Sequence, residues 1–183
     1  MDVPREIREL MRRAPRLTLA AAESVTCGRV QARIGQAKGA SDFFLGGITA
    51  YTLEQKVRHL GVERAGAAAC ECVSAAVAGQ MARGVAALFG ADVGVATTGF
   101  AEPSACLKVA KFEGPTSGAV ETGLAEPFAF WAVAWREPGG GWGTRTGRVV
   151  CLGAERTAAQ ALIADAALAE LHAQLRAMRP DAA

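Results

Sequence analysis

No stretch of this chain approaches the ~20 apolar residues that a membrane span needs, because charges and glycines repeatedly cut its alanine-rich runs. A large charge of one sign is missing too: 20 basic and 18 acidic residues leave a net charge of +2 over 183 residues. So small a bulk field implies no partnership with nucleic acid or a membrane surface. Histidine is limited to His59 and His172, and tyrosine to Tyr51. Five cysteines (Cys27, Cys70, Cys72, Cys106 and Cys151) make an odd number, and Cys70-x-Cys72 is too close for a zinc or dithiol motif. Met1–Pro15 has no apolar signal core, so the expectation is a cytoplasmic protein with reduced thiols and no metal. No Gly-x-Gly-x-x-Gly follows an expected strand and no Walker lysine follows a glycine loop. These absences weigh against nicotinamide-dependent redox chemistry, and the expectation is that no cofactor is needed.

What is present is the material of one globular domain covering 1–183, with 51% hydrophobic and 21% charged residues. Ile7, Leu10 and Met11 predict a helix over Pro4–Arg13, and the apolar run Leu17–Glu23 predicts a strand. Ser24 or Thr26 then caps a helix running to about Ile34. Phe43–Tyr51 predicts a second strand, whose Gly46-Gly47 pair marks a bulge or a close backbone approach. Helices follow over Leu53–Leu60 and Ser74–Phe89, and a third strand ends near Thr98-Gly99. From Phe100 to Pro127 no period is sustained, which predicts a long irregular segment. Phe128–Trp135 and Thr144–Leu152 predict a hairpin, and Glu155–Met178 a closing helix. Such alternation predicts a three-layer α/β/α sandwich around a mixed, mostly parallel sheet. The apolar faces of 74–89 and 155–178 suggest a homo-oligomer, although both must first cover the sheet.

In open sheets of this kind ligands gather at the carboxyl ends of the strands. Those ends are Glu23-Ser24-Val25-Thr26, Tyr51-Thr52 and Thr97-Thr98-Gly99. Ser24 sits where a strand turns into a helix, so its hydroxyl can face a cleft toward which helix-start amides also point. A serine nucleophile needs a base, and neither histidine is well placed. Lys56 is the better candidate, since a desolvated lysine loses its proton more readily, with Tyr51 near enough to assist. Residue types alone leave the ordinary alternatives open: Ser24 as an N-cap, Lys56 as an exposed helix lysine, Tyr51 as strand packing.

Three segments narrow the choice. AAESVTCGRV resembles the AES-x-T-x-G opening of the CinA C-terminal domain family, and GASDFFLGGITAYTLEQKVRHLGV resembles its paired glycines followed by Y-[ST]-x-x-x-K. CVSAAVAGQMARGVAALFGADVGVATTGFAEP is similar to its V-S-x-x-V-A-x-x-M-A helix and the strand behind it. The resemblance covers about residues 17–103 and weakens beyond. It implies an amidohydrolase converting nicotinamide mononucleotide to nicotinic acid mononucleotide and ammonia. Ser24 would be the nucleophile, Lys56 the base and Tyr51 its assistant. Glu23, Thr26, Gly28, Gly47, Thr98 and Gly99 would frame the substrate, and amides around Thr26–Gly28 or Gly99 would hold the oxyanion or the phosphate. The length matches the stand-alone form of the family.

Departures from the pattern bear on substrate. Cys27 replaces a glycine after the serine, and could be either reactive or simply packed. Leu53 stands where an asparagine is usual. The glycine-rich loop after the third strand becomes Thr98 to Cys106, in which Glu102 would oppose a phosphate. Lys108 and Lys111 could restore phosphate contacts. A Gly-Asp-Arg after the last strand reads Gly153-Ala154-Glu155, with Arg156 a partial substitute. Three outcomes fit: the deamidase with rebuilt loops, an amidase for another small amide, or a non-catalytic relative binding a nucleotide-like ligand or a protein. An enzyme predicts an open cleft where Ser24, Lys56 and Tyr51 converge; a non-catalytic role predicts a closed one, or one filled by Phe100 or Phe130.

Overall fold

The computed structural model describes residues 2–110, 119–124 and 126–180. Helix α1 (Val3–Arg12) leads into β1 (Leu19–Glu23), α2 (Arg29–Gly35) and β2 (Phe44–Thr49). Helices α3 (Leu53–Leu60), α4 (Arg64–Ala69) and α5 (Ala75–Phe89) precede β3 (Val93–Phe100). Strands β4 (Ser104–Ala110) and β5 (Ala119–Leu124) come next, then β6 (Phe128–Arg136), β7 (Trp142–Val150) and α6 (Arg156–Met178).

Five strands form the main sheet in the order β2-β1-β3-β6-β7. β1 is parallel to β2 and β3, whereas β6 is antiparallel to β3 and β7. Only β6 therefore opposes the common direction, and the architecture is the expected α/β/α sandwich with a mixed, mostly parallel sheet. Side-chain alternation sorts the strands between two cores. Ala20, Ala22, Ala96, Phe128, Phe130 and Ala132 face α5. Leu19, Ala21, Val93, Val95, Trp131 and Val133 face α1, α2 and α6. The apolar faces of α5 and α6 are thus spent on the sheet, which leaves Leu88 and Leu162 about half exposed. No helix among the described residues is long and apolar enough to cross a membrane.

β1 lies between two parallel neighbours and is wholly buried, as a strand of small apolar residues covered on both faces should be. Its register brings Glu23 opposite both Thr49 and Thr97, so three strand ends meet around that residue. Gly47 serves this packing: a Cβ there would strike the Ala21 carbonyl oxygen and the Gln31 side chain. Gly47→Ala is expected to destabilise the protein by about 1–3 kcal/mol through overpacking, read as a lower urea midpoint; an unchanged midpoint would show that β2 can shift freely.

Two expectations are corrected. Residues 100–127 are not wholly irregular, because β4 and β5 pair antiparallel, with a shift of register between Ser104 and Leu107. The interrupted register and the scattered Gly and Thr leave no sustained alternation to read. Lys108 stands on β4 opposite Glu121, and Lys111 lies outside the described residues. Helix α2 begins later than expected, and neither Ser24 nor Thr26 caps it. Its N-cap is Gly28, in the left-handed region at φ 94° and without a side chain to offer. Short α4, alanine-rich and capped by Glu63, had no apolar period to announce it.

Candidate active site

The cap of α2 comes from Glu23. Its carboxylate is fully buried and accepts from the Thr26 hydroxyl at 2.6 Å and from the amides of Gly28 at 2.9 Å, Val30 at 3.1 Å and Gln31 at 2.9 Å. A negative charge at the orphan N–H groups of a helix start is favourable there. Thr26, also fully buried, shares a 2.7 Å hydrogen bond with Thr97. Glu23, Thr26, Gly28 and Gly47 are therefore engaged behind the turn, and none of them lines the cleft described next. Of the amides expected for an oxyanion, Cys27 donates to the Ser24 carbonyl at 3.3 Å and Gly28 to Glu23. Cys27 itself is exposed, at φ 52°.

This turn sets Ser24 at the floor of a cleft of about 420 Å³ between the ends of β1 and β3, the start of α3 and the start of α6. The Ser24 amide donates to the Thr97 carbonyl at 3.1 Å, and Gln160 on α6 donates to the Val25 carbonyl at 2.9 Å. The serine is thus tied to β3 and the residue after it to α6. Lys56 reaches it from α3: its Nζ donates to Ser24 Oγ at 2.9 Å and to the Tyr51 carbonyl oxygen at 2.9 Å. Lys56 is only 1% exposed. Both of these partners are uncharged oxygens, and burial pushes its ammonium below the ordinary lysine range, partly opposed by nearby Cys72. Burial in turn raises the Cys72 thiol, with Lys56 pulling the other way.

Tyr51 joins the site differently from the expectation. Its backbone carbonyl holds Lys56, while its side chain is 53% exposed and its hydroxyl accepts from Arg156 Nη2 at 3.2 Å. Thr98 and Gly99 line the cleft, and Thr98 Oγ1 donates to the Cys72 carbonyl at 2.7 Å. That bond braces a turn in which Glu71 and Cys72, neither of them glycine, adopt φ of 50° and 64°. Phe100 forms part of the wall, whereas Phe130 is in the core. The cleft is open, with the serine and the amine in contact.

Three contributors were not read from the sequence as site residues. Glu71 and Cys72 line the cleft from a turn that carries no glycine signal. Arg156, noted only as a substitute for a lost charge, opens α6 over the mouth of the cleft. It pairs with Glu102 at 3.3 Å, so the two residues singled out as departures meet each other.

The model of the CinA C-terminal domain matches residues 2–175. A competence-damage inducible protein of Moorella thermoacetica is 49% identical over 90 residues, which is 49% of this chain and 22% of that protein. A CinA-like protein of Salinibacter ruber is 45% identical over 92 residues, covering 50% of this chain and 22% of its own length. The matched region therefore spans about a fifth of the length of these curated relatives. Among solved structures, the competence damage-inducible protein A (ComA) of Klebsiella pneumoniae superposes with a TM-score of 0.72 at 27% identity, over 95% of each chain. A CinA superfamily protein of Enterobacter cloacae gives a TM-score of 0.72 at 25% identity, over 94% of this chain and 90% of that one.

Proposed function

Because this chain belongs to the CinA C-terminal domain family, we propose that its cleft is that of a serine amidohydrolase. The substrate that the family resemblance implies is nicotinamide mononucleotide, yielding nicotinic acid mononucleotide and ammonia. The observation that carries the reading is the 2.9 Å contact between Ser24 Oγ and a lysine amine held away from water. A surface lysine at neutral pH is a cation and no base. Burial without a carboxylate contact favours the neutral amine, and the same contact then runs the other way, the serine hydroxyl donating to the amine lone pair.

From that state Ser24 Oγ adds to the carboxamide carbon while its proton passes to Lys56 Nζ. The new ammonium lies beside the tetrahedral adduct and offsets its charge. Collapse returns the proton to the departing nitrogen and releases ammonia. Water, deprotonated by the same amine, then hydrolyses the acyl-serine to the acid. The Tyr51 carbonyl keeps Nζ aimed throughout, since a lysine stem left free would spend its rotamer entropy elsewhere.

The deciding experiment is ammonia release from nicotinamide mononucleotide by the purified chain, followed by mass analysis of the pyridine product. Catalytic release with a product one mass unit heavier, as replacement of NH2 by OH demands, supports the reading. Absence of turnover from a folded protein over a broad pH range removes it for this substrate.

A further inference from the structure

The mouth of the cleft carries a charge arrangement that the hydrolytic step does not use. Glu102, just beyond β3, places Oε1 3.3 Å from Arg156 Nη1, and Arg156 Nη2 donates to the Tyr51 hydroxyl at 3.2 Å. The guanidinium is therefore shared between a carboxylate and a phenol before any ligand arrives. Glu71 adds a second acidic residue to the wall, so the charged groups lining the cleft among the described residues are Glu71 and Glu102 against Arg156 and the buried Lys56.

A phosphate dianion that took Arg156 would have to detach Glu102 and then share the mouth with its carboxylate. Hydroxyl groups face no such conflict: a carboxylate accepts from them, a guanidinium donates to them, and the pair stays closed. We infer that this cleft prefers a carboxamide on a neutral or cationic, hydroxyl-bearing body to the same carboxamide carrying a phosphate, and that Glu102 sets the preference. The inference rests on the amidohydrolase reading only in taking the carboxamide as the group that reaches Ser24. The Glu102 and Arg156 side chains are 61% and 48% exposed, so water and salt screen the conflict, and the discrimination is about tenfold rather than absolute.

Binding separates the inference from the chemistry. Nicotinamide mononucleotide and its dephosphorylated form, nicotinamide riboside, are titrated calorimetrically into Ser24→Ala and Ser24→Ala/Glu102→Gln at low salt. The riboside is expected to bind Ser24→Ala about tenfold more tightly. Glu102→Gln should tighten the mononucleotide by a similar factor while shifting the riboside less than about threefold, and added salt should shrink the difference. Tighter binding of the mononucleotide to Ser24→Ala, no response to Glu102→Gln, or failure of both ligands to bind overturns the inference. Wild-type ammonia release that favours the mononucleotide overturns it while leaving the amidohydrolase reading intact. Preferential riboside binding without ammonia from either compound removes the hydrolase and keeps the charge preference. Glu102 is exposed, so a matching melting temperature for the two variants verifies that only the charge has changed.

Discussion

Ser24→Ala and Lys56→Met are each expected to lower turnover by at least about a thousandfold, and the double variant to lower it little further. A nucleophile and its base act as one unit, so removing either forfeits the step that both serve. Lys56→Met isolates the proton chemistry because methionine matches the unbranched stem and suits a site that is 1% exposed. It gives up the contacts with Ser24 and Tyr51, but it also relieves the cost of burying an amine, so the melting temperature should stay within a few degrees of wild type. Wild-type kcat should rise with pH through the lowered Lys56 value, since only the neutral amine accepts the serine proton. Stability follows the same group. Between its lowered folded value and its ordinary unfolded one, the unfolded chain holds the extra proton, so stability rises with pH across that window. That slope should vanish in Lys56→Met. Stepwise kinetics, with each single variant retaining a tenth of wild-type turnover and the double a hundredth, would show two independent contributors and no dyad.

Glu23→Ala is expected to be the most damaging single change to the fold, at about 3–5 kcal/mol, or a melting temperature lower by about 10 °C. The carboxylate is the acceptor for one hydroxyl and three amides in a place that water does not reach. Glu23→Gln keeps the shape but turns an amide NH2 toward those donors, and about half the loss is expected. Activity should fall in step, because Ser24 is the next residue and the turn it begins is organised around that carboxylate. Thermal melting with kcat at a permissive temperature tests both parts. A Glu23→Ala protein that melts with wild type would mean that solvent or a neighbouring side chain takes over the cap.

The family motifs and the strand ends made the general position of the site legible. Ser24 follows the last residue of β1, where a parallel strand delivers its ligand-facing groups. Lys56 could have been placed more firmly, since it lies three residues after Leu53 and four before Leu60, on the buried stripe of α3. A lysine on the apolar stripe of so short a helix is itself a signal of burial. The strand-end position and the family resemblance make Glu23 an expected ligand contact. Its amide partners lie five to eight residues ahead, at the cap and first turn of α2, and spacing could not show that the carboxylate turns toward them. Tyr51 was assigned by its phenol, yet it is the backbone that touches Lys56, and a carbonyl leaves no mark in a sequence. The Glu102–Arg156 pair joins residues 54 positions apart, and only the folding of α6 across the end of β3 unites them.

The alanines of β1 have a further meaning for this chain. Ala20 and Ala22 lie in the same core as Leu60, the residue that seats the end of α3. Helix α3 packs on α5, and α5 in turn rests on the methyl groups of β1, so the layer holding Lys56 meets the strand that leads into Ser24 through α5. Thickness of the sandwich and reach of the amine are one dimension measured twice. A bulkier residue at either alanine would lift that layer by a fraction of a bond length, which a packed interior tolerates more readily than a proton transfer does. Drift in the interior of this protein should accordingly cost rate before it costs shape.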